Sequence, residues 1–269
     1  MSDNPEIAID VNVPNAARVY DYLLGGVTNF EIDRQIAERN NAVLPGGIDS
    51  ARAEVRANRA FLVRAVRYLA GEAGIRQFLD IGTGIPTGDH VHNVAQEVAP
   101  ESRIVYVDYD PIVLAHAHSL LTSTPEGVTA YIDADLHQPE QILESARATL
   151  DFDRPIALIL SGILGHVGDH DAARDLVRRL MAPMPPGSHL SLNEGADTDS
   201  PYAAAQSAYN ASGAVPYHLR SPEQIEGFFD GLELVEPGVV TVPQWRPDVP
   251  ALDGHPQEVG QFGGVGRKP

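Results

Sequence analysis

Phe78-Leu79-Asp80-Ile81-Gly82-Thr83-Gly84 is typical of a buried β-strand that ends in a tight glycine turn. A helical pattern starts soon after the turn, at Asp89. Glycine is needed where the backbone passes close to a ligand, because any Cβ would collide with that ligand. A strand, a glycine turn and a helix in this order are typical of ligand-binding α/β sheets. We therefore expect the rest of the fold to be organised around this turn.

Short apolar runs alternate with amphipathic helical patterns after residue 76. The predicted strands are Gln77–Ile81, Arg103–Val107, Val128–Ile132, Ile156–Leu160 and His189–Leu192, and the predicted helices are Asp89–Val98, Pro111–Leu121, Pro139–Leu150 and Ala172–Met181. Such alternation builds a parallel sheet with right-handed crossovers and helices on both faces.

The end of the chain follows a different pattern. After a predicted helix over Pro222–Phe229, the predicted strands Leu232–Val242 and Glu258–Val265 follow each other without a helix between them. Strands joined in this way are antiparallel neighbours or lie apart. The sequence therefore predicts an α/β fold with a mostly parallel seven-stranded sheet and an antiparallel last strand.

The first 75 residues precede this alternation. Residues 1–13 form a polar tail, and helical patterns cover Ala16–Leu24 and Ala51–Ala70, with a Gly- and Pro-containing stretch between them. We predict that residues 1–75 are a tail and a helical cap, and that residues 76–269 form the ligand-binding domain, the two together making one compact unit.

Composition and charge exclude several classes of function. The chain has 19 Lys and Arg against 37 Asp and Glu, a net charge of −18, so a nucleic acid would be repelled. No apolar run is long enough to cross a membrane. The chain has no cysteine, which excludes disulfides and thiolate metal sites. We expect a cytoplasmic protein whose partner is a small molecule, with no metal site.

The glycine turn also indicates which ligand it binds. The dinucleotide fingerprint needs a third glycine, but Thr87 occupies that position, and Pro86 removes an amide that could hold phosphate. Asp80 would repel a phosphate but suits an ammonium group. The motif therefore favours S-adenosylmethionine, through Asp80, Gly82, Thr83 and Gly84, over a nicotinamide cofactor. An NAD-dependent enzyme stays a weaker alternative.

Two more acids follow the next two predicted strands. Asp108 ends the second strand, where a carboxylate can accept hydrogen bonds from both ribose hydroxyls, and Tyr109 beside it is also predicted to contact the cofactor. Asp135 follows the third strand and can accept from the adenine amino group, while the amide of Leu136 can donate to a ring nitrogen. Carboxyl ends of parallel strands share one edge, so the three acids should line one crevice.

The sequence resembles the S-adenosyl methyltransferase family, class I methyltransferase-fold proteins common in actinobacteria and formerly a domain of unknown function. The resemblance covers nearly the whole chain and is carried by Ala17-Arg18-Val19-Tyr20-Asp21-Tyr22-Leu23-Leu24-Gly25-Gly26, Asn29-Phe30, Asp33-Arg34, Ala57-Asn58-Arg59-Ala60-Phe61-Leu62, Gly74 to Gly84, Val105-Tyr106-Val107-Asp108, Ala134-Asp135-Leu136, Leu150 to Pro155, Gly231 to Gly238, Trp245-Arg246-Pro247 and Gly263 to Lys268. It implies a Rossmann-like class I methyltransferase fold with S-adenosylmethionine as cofactor, and it does not imply an acceptor.

The methyl acceptor should lie beyond the fourth strand. Ser161, at the strand end, is predicted to contact the cofactor, and His166 is either a general base or a packed loop histidine. The loop Ser161-Gly162-Ile163-Leu164-Gly165-His166-Val167 lacks the His-Phe pair that relatives tend to carry. From the cap, Tyr20, Tyr22 and Arg59 are predicted to reach the ligand, with Arg59 pairing with the methionyl carboxylate.

Two hypotheses follow from these residues. The first is an S-adenosylmethionine-dependent methyltransferase that acts on a small molecule. The second is a non-catalytic S-adenosylmethionine-binding regulatory protein, which would use the same three acids.

Overall fold

The computed structural model describes residues 10–86, 89–120, 122–198, 200–248 and 259–269. The predicted features that fall on Thr87, Leu121 and Glu258, and on the first nine residues of the tail, lie outside the described residues. In the described part of the chain, no helix is both long enough and apolar enough to span a membrane.

The described strands form a single sheet. They are β1 (Gln77–Ile81), β2 (Arg103–Asp108), β3 (Val128–Asp133), β4 (Ala157–Ser161), β5 (His189–Gly195), β6 (Glu233–Leu234), β7 (Val240–Thr241) and β8 (Gln261–Arg267). Their order across the sheet is β3-β2-β1-β4-β5-β8-β6, and β7 also pairs with β8. The first five strands are parallel, and β8 runs antiparallel to β5. The predicted α/β fold with an antiparallel last strand is confirmed.

One predicted strand differs from the structure. The apolar stretch Leu232–Val242 forms two separate two-residue strands, β6 and β7, which pair with different parts of β8. The intervening Glu236-Pro237 and Gly238 interrupt the ladder, since proline has no N–H to donate and Gly238 adopts a φ of +89°. The seventh strand position is therefore filled by two short segments, and the sheet keeps the predicted width.

Helices cover both faces of the sheet. Among the described residues, three helices of the predicted cap precede β1: α1 (Ala16–Leu24), α2 (Glu31–Asn41) and α3 (Ile48–Gly71). Six more described helices lie between β1 and β6: α4 (Val91–Val98), α5 (Pro111–Leu120), α6 (Pro139–Ala146), α7 (His170–Met181), α8 (Pro201–Asn210) and α9 (Pro222–Glu226). Asp169 caps α7 through the amide of Ala172, and Ser221 with Gln224 forms a capping box at α9.

The pleat divides the sheet into two apolar cores. Phe78 and Ile159 face α3 and pack with Phe61 and Leu62 of that helix. Leu79 and Leu158, one position along each strand, face the other side and join the core that α6 and α7 cover. Successive side chains of a strand point to opposite faces, so every strand residue has a fixed side. The large helix α3, at the end of the cap, is thus part of the core of the sheet.

The cap contains a helix that the sequence did not predict. α2 is polar, and its turns are buried only at Asp33, Ile36, Ala37 and Asn40, so its apolar periodicity is weak. Its first turn is held by the Asp33 carboxylate, which accepts from the backbone amides of Phe30 at 2.8 Å and Asn15 at 3.0 Å. Arg18 of α1 pairs with Asp33 at 2.8 Å, and both side chains are fully buried.

Besides the packing of α3, two further contacts join the predicted cap to the rest of the chain. Asn15, which caps α1, donates from Nδ2 to the Asp110 carboxylate at 2.6 Å, and Asp110 itself accepts from the amide of Ile112 in α5. On the other side, α8 packs against the cap, where Ala205 joins the apolar cluster of Val19 and Val55. The insertion after β5 and the cap therefore form a common roof above the sheet edge.

We expect Arg18→Ala to lower the free energy of unfolding by about 3–5 kcal/mol, because it leaves the Asp33 carboxylate buried without its cation. Urea denaturation followed by circular dichroism measures this change. Arg178→Ala is the matched control, since its pair with Asp175 is exposed and should contribute at most about 1 kcal/mol. Equal effects of the two substitutions would contradict the prediction.

Candidate functional site

A row of polar side chains crosses the carboxyl edge of the sheet. Each of these side chains lies on the side of the sheet that faces α3. Four of them are an even number of residues along the strand from a core residue that faces α3, and alternate residues of a strand share a face. The fifth, Asn193, lies beside Ser161 in the strand register. We call the following residues the polar row: Asp108 (β2), Asp80 (β1), Ser161 (β4), Asn193 (β5) and Gln261 (β8). Open parallel sheets bind ligands at this edge. We call the region between the polar row and α3 the crevice.

The glycine turn after β1 lies beside the polar row. Gly82 and Gly84 adopt φ angles of +78° and +66°, which side chains with a Cβ rarely tolerate. A Cβ on Gly82 would lie 2.6 Å from Cγ1 of Ile163, whereas a Cβ on Gly84 would meet nothing within 4 Å. The backbone at Gly84 is thus open on one side. The turn can accept a ligand close to its main chain there.

The carboxyl group of Asp80 is buried within the crevice, and the residue is 6% exposed. Burial raises the pKa of Asp80, Arg59 opposes this effect and the nearby Asp108 adds to it, and the pKa that results is about 7. A carboxyl held in this way gains most from a ligand that brings a positive charge. This supports the predicted role of Asp80 beside an ammonium or sulfonium group.

Asp108 holds the turn in place while keeping lone pairs available. Its two carboxylate oxygens accept from the backbone amides of Gly84 and Asp110, each at 2.9 Å. Burial raises the pKa of Asp108, against the effect of these amide donors. Each oxygen has a second lone pair, so the carboxylate can still accept from two hydroxyls. Tyr109, the next residue, is 56% exposed at the edge of the crevice.

Asp135 and Leu136 follow β3 at the outer end of the crevice. Although partial burial opposes its ionisation, hydrogen bonds from His137 lower the pKa of Asp135. Its Oδ1 accepts from the backbone amide of His137 at 2.9 Å and lies 2.8 Å from that ring. The Leu136 side chain is buried in the core on the opposite face of the sheet. The two residues therefore fix the rim next to Asp108.

The three cap residues predicted to reach the ligand lie in different places. The hydroxyl of Tyr20 donates to the carbonyl of Val55 in α3. Arg59 of α3 is half-buried, acts electrostatically on Asp80, and donates to the carbonyl of Asp89 at 3.0 Å. Tyr22 lies on the outside of the cap, where its hydroxyl donates to Glu38 at 2.7 Å and its ring lies under Arg52. The structure thus brings Arg59, but not Tyr22, together with the polar row.

The end of β4 and the loop after it carry Ser161, predicted to contact the cofactor, and His166, the candidate general base. The Ser161 hydroxyl donates to Oδ1 of Asn193 at 2.8 Å. Leu164–His166 forms a 3-10 turn, and Nδ1 of His166 lies 2.9 Å from the carbonyl oxygen of Pro216. A carbonyl only accepts, so Nδ1 carries the proton and Nε2 keeps its lone pair. Burial lowers the pKa of His166, which favours this neutral form.

A buried polar network under this loop was not predicted from the sequence. The Glu194 carboxylate accepts from the amides of Leu164 and Gly165 and from the hydroxyl of Tyr217, at 2.8, 2.9 and 2.6 Å. Arg220 donates to the carbonyls of Leu164 and Val167 from the same side. Burial raises the pKa of Glu194 to about 7. The network fixes the backbone that carries His166.

Other residues of the crevice also escaped prediction. Asn58 is 6% exposed and interrupts the apolar stripe of α3, which continues through Leu62, and its Oδ1 has no hydrogen-bond partner within the described protein. A polar residue in an apolar helical stripe is a signal that the sequence offers. Asn193 and Glu194 carried a similar signal, as polar residues within a buried strand.

Two cavities lie away from the crevice. One, of about 320 Å³, is at the opposite edge of the sheet, where the arginines Arg76 and Arg267 pair with Glu101 and Glu233. The other, of about 500 Å³, lies between α7 and the end of the chain. Neither touches the polar row. Among the residues that the structure describes, no three His, Asp or Glu side chains are grouped as metal ligands.

We expect Gly82→Ala to destabilise the protein more than Gly84→Ala. Both positions have positive φ, which costs about 1–2 kcal/mol for a residue with a Cβ. Only at Gly82 does the new Cβ meet Ile163, which should add about 1–3 kcal/mol. Urea unfolding measures both variants, and Ile163→Ala in the Gly82→Ala background should recover the steric part. Equal losses for the two glycines would show that Ile163 does not constrain the turn.

Comparisons with known proteins agree with this geometry. The S-adenosyl methyltransferase family matches residues 2–269 of the chain. A solved DUF574 family protein from Streptomyces avermitilis MA-4680 is 45% identical, with 97% of this chain and 100% of that chain covered and a TM-score of 0.91. A Thermobifida fusca YX protein, named as a candidate methyltransferase, is 42% identical over 99% of both chains, with a TM-score of 0.86. No curated protein matches the chain.

These matches confirm the resemblance found in the sequence, together with the class I methyltransferase fold and its cofactor, S-adenosylmethionine. The chain belongs to the S-adenosyl methyltransferase family.

Proposed function

We propose that the protein transfers the methyl group of S-adenosylmethionine to a small-molecule acceptor bound in the crevice beside the polar row. The observation that carries the proposal is the alignment of Asp135, Asp108 and Asp80 on three adjacent strand ends, with Arg59 facing Asp80. These three carboxylates and the guanidinium fit a ligand that has an adenine, a ribose diol and a charged amino acid end.

Each part of the cofactor has a residue suited to it. Asp135 and the amide of Leu136 would hold the adenine, with Tyr109 beside it, and Asp108 would accept from the ribose hydroxyls. Asp80 and Arg59 would hold the methionyl ammonium and carboxylate, and the open backbone of Gly84 leaves room for close approach. When bound, the cofactor supplies an electrophilic methyl group on a sulfonium.

The residues of the chain then act mainly by positioning. Methyl transfer is an in-line displacement in which holding the acceptor close to the methyl group supplies most of the rate. Ser161 and Asn193 continue the polar row beyond Asp80 and would face the acceptor. The lone pair on Nε2 of His166 could receive a proton from an acceptor that must lose one, such as a hydroxyl.

The enclosure of the crevice supports a small acceptor. We propose that residues 1–75 act as a cap, and the helices α1 to α3 of this segment pack with α8 above the edge of the sheet. Tyr20 and Tyr202 lie in this roof next to the apolar cluster of Val19 and Val55. A net charge of −18 also disfavours a nucleic acid as acceptor.

We expect Asp108→Ala to weaken S-adenosylmethionine binding by about 5- to 150-fold, the loss of about 1–3 kcal/mol from charge-assisted hydrogen bonds. Isothermal titration calorimetry measures this, with Glu144→Ala as a control that removes an exposed charge from α6. Incubation of the protein and cell extract with methyl-labelled cofactor should give a labelled low-molecular-mass product that is distinct from the cofactor, and Asp108→Ala should reduce its formation at limiting cofactor concentration. Label confined to protein or nucleic acid would overturn the proposed acceptor class.

We expect cofactor affinity to rise from about pH 5.5 to about pH 7.5, by up to about tenfold per pH unit, because Asp80 must ionise to hold a cation. Burial raises the pKa of Asp80 to about 7, so binding below that pH releases its proton. The amino group of the cofactor stays protonated in this range, since α-amino groups titrate near about pH 8. His90, whose pKa burial lowers to about 4, stays neutral.

Calorimetry in buffers of different ionisation enthalpy measures the released proton directly. Asp80→Asn should bind more weakly and release fewer protons over the same range. Binding of the unaltered protein that does not change with pH would refute the role of Asp80.

A further inference from the structure

One more carboxyl group faces the crevice, from helix α3 opposite the polar row. Glu54 lies on α3 one turn before Asn58, so the two side chains are on the same face of the helix. The residue is half-buried. Burial raises the pKa of Glu54 to about 7, while the side-chain amide of Gln261 and the backbone amide of Gly260 favour its ionised form. Both of these partners are neutral.

The groups around Glu54 present hydrogen-bond acceptors. Gln261 directs its amide nitrogen at the Glu54 carboxylate, so its Oε1 points elsewhere, and that atom is buried without a partner within the described protein. Asn58 likewise uses its amide N–H as a donor to the Tyr20 hydroxyl, which favours ionisation of that hydroxyl. The buried Oδ1 of Asn58 has no hydrogen-bond partner within the described protein. Two uncommitted acceptor oxygens beside a carboxyl group suit a ligand that donates several hydrogen bonds.

Aromatic side chains border the same region. Tyr20 of α1 donates to the carbonyl of Val55 at 3.3 Å and interacts electrostatically with Glu54. Tyr202 of α8 packs closely against Gly260. A Cβ added to Gly260 would lie 2.9 Å from the Cβ of Tyr202. Carboxylates together with tyrosine rings are typical surroundings of a bound ammonium group.

The charges in the crevice point to the same ligand. S-adenosylmethionine carries one carboxylate, one ammonium and one sulfonium, and hence a net charge of +1. Near the methionyl and ribose ends of the cofactor, that charge and Arg59 together balance Asp80 and Asp108. Asp135, farther out, is stabilised by hydrogen bonds from His137. Glu54 is then left without a cation, and a partly buried carboxylate is stabilised when a ligand supplies one.

Resting on the proposed function, we propose that the methyl acceptor is an amine that binds as its ammonium form to Glu54, Asn58 and Gln261. The ammonium gives one proton to the Glu54 carboxylate, which frees the lone pair on nitrogen. The amine nitrogen then forms the new N–C bond with the methyl carbon, and the C–S bond breaks with its electron pair left on sulfur. The elevated pKa of Glu54 suits it to take this proton.

The test measures binding of 2-phenylethylamine and of its neutral counterpart 2-phenylethanol by calorimetry, in the presence of S-adenosylhomocysteine so that no turnover occurs. We expect the amine to bind at least about tenfold more tightly than the alcohol. In Glu54→Gln this preference should disappear. Asp49→Asn, which removes one charge from the exposed start of the same helix, should keep it.

Equal binding of the two compounds, binding of neither, or an amine preference that survives in Glu54→Gln would each overturn the inference. The comparison in the unaltered protein decides it even if Glu54→Gln does not fold. The same titrations separate this inference from the proposed function. Binding of S-adenosylhomocysteine without amine preference refutes only the amine site, whereas loss of S-adenosylhomocysteine binding refutes the cofactor assignment.

Discussion

The pleat of the parallel sheet is the constraint on which the site depends. Hydrogen-bonded register fixes which residues of neighbouring strands lie side by side, and the alternation of side chains fixes the face that each one occupies. Phe78 and Ile159 must face α3 to fill the core, so Asp80 and Ser161, two positions later, must face α3 as well. A slip of one residue in either strand would turn these polar groups into the opposite core. The apolar packing thus determines where the chemistry lies.

The same packing explains the electrostatics of the crevice. Asp80 and Glu194 lie on strands near the carboxyl edge of the sheet, and Glu54 lies on the neighbouring helix α3. Burial raises the pKa of each of these carboxyl groups to about 7. Their surroundings differ. Glu194 is enclosed by two backbone amides, Tyr217 and Arg220, so it serves the backbone of the loop. Asp80 and Glu54 face the space between the sheet and α3, where positively charged ligands could stabilise them.

The sequence was sufficient for the sheet and for the placement of three acids at its strand ends. β1 and α1 were predicted with the bounds that the structure has, because apolar periodicity and glycine placement are strong local signals. α2 was missed because its stability comes from Asp33 and Arg18 rather than from an apolar face. The split of the edge strand into β6 and β7 followed from proline and glycine chemistry that a Val- and Leu-rich composition concealed.

Groups that come together from distant parts of the sequence were less accessible to prediction for a different reason. Asp80, Asp108 and Asp135 recur at strand ends and can be found by counting along the chain. Glu54 and Gln261 are separated by more than 200 residues, and Glu194 acts on amides of a loop some 30 residues away. Only the folded topology brings such groups together. Tyr22 illustrates the converse, since its neighbours Glu38 and Arg52 hold it on the outside of the cap.

The contact between Asn15 and Asp110 joins the starts of α1 and α5, directly beside the strand end that carries Asp108. Asp110 accepts from Asn15 with one carboxylate oxygen and from the amide of Ile112 with the other, so one side chain serves both helix starts. Asn15 also donates from its backbone amide to Asp33 and accepts from the amide of Arg18. The three helices α1, α2 and α5 therefore share one polar junction, and the strand end at Asp108 is linked to the N-terminal helices by side chains rather than by neighbouring backbone.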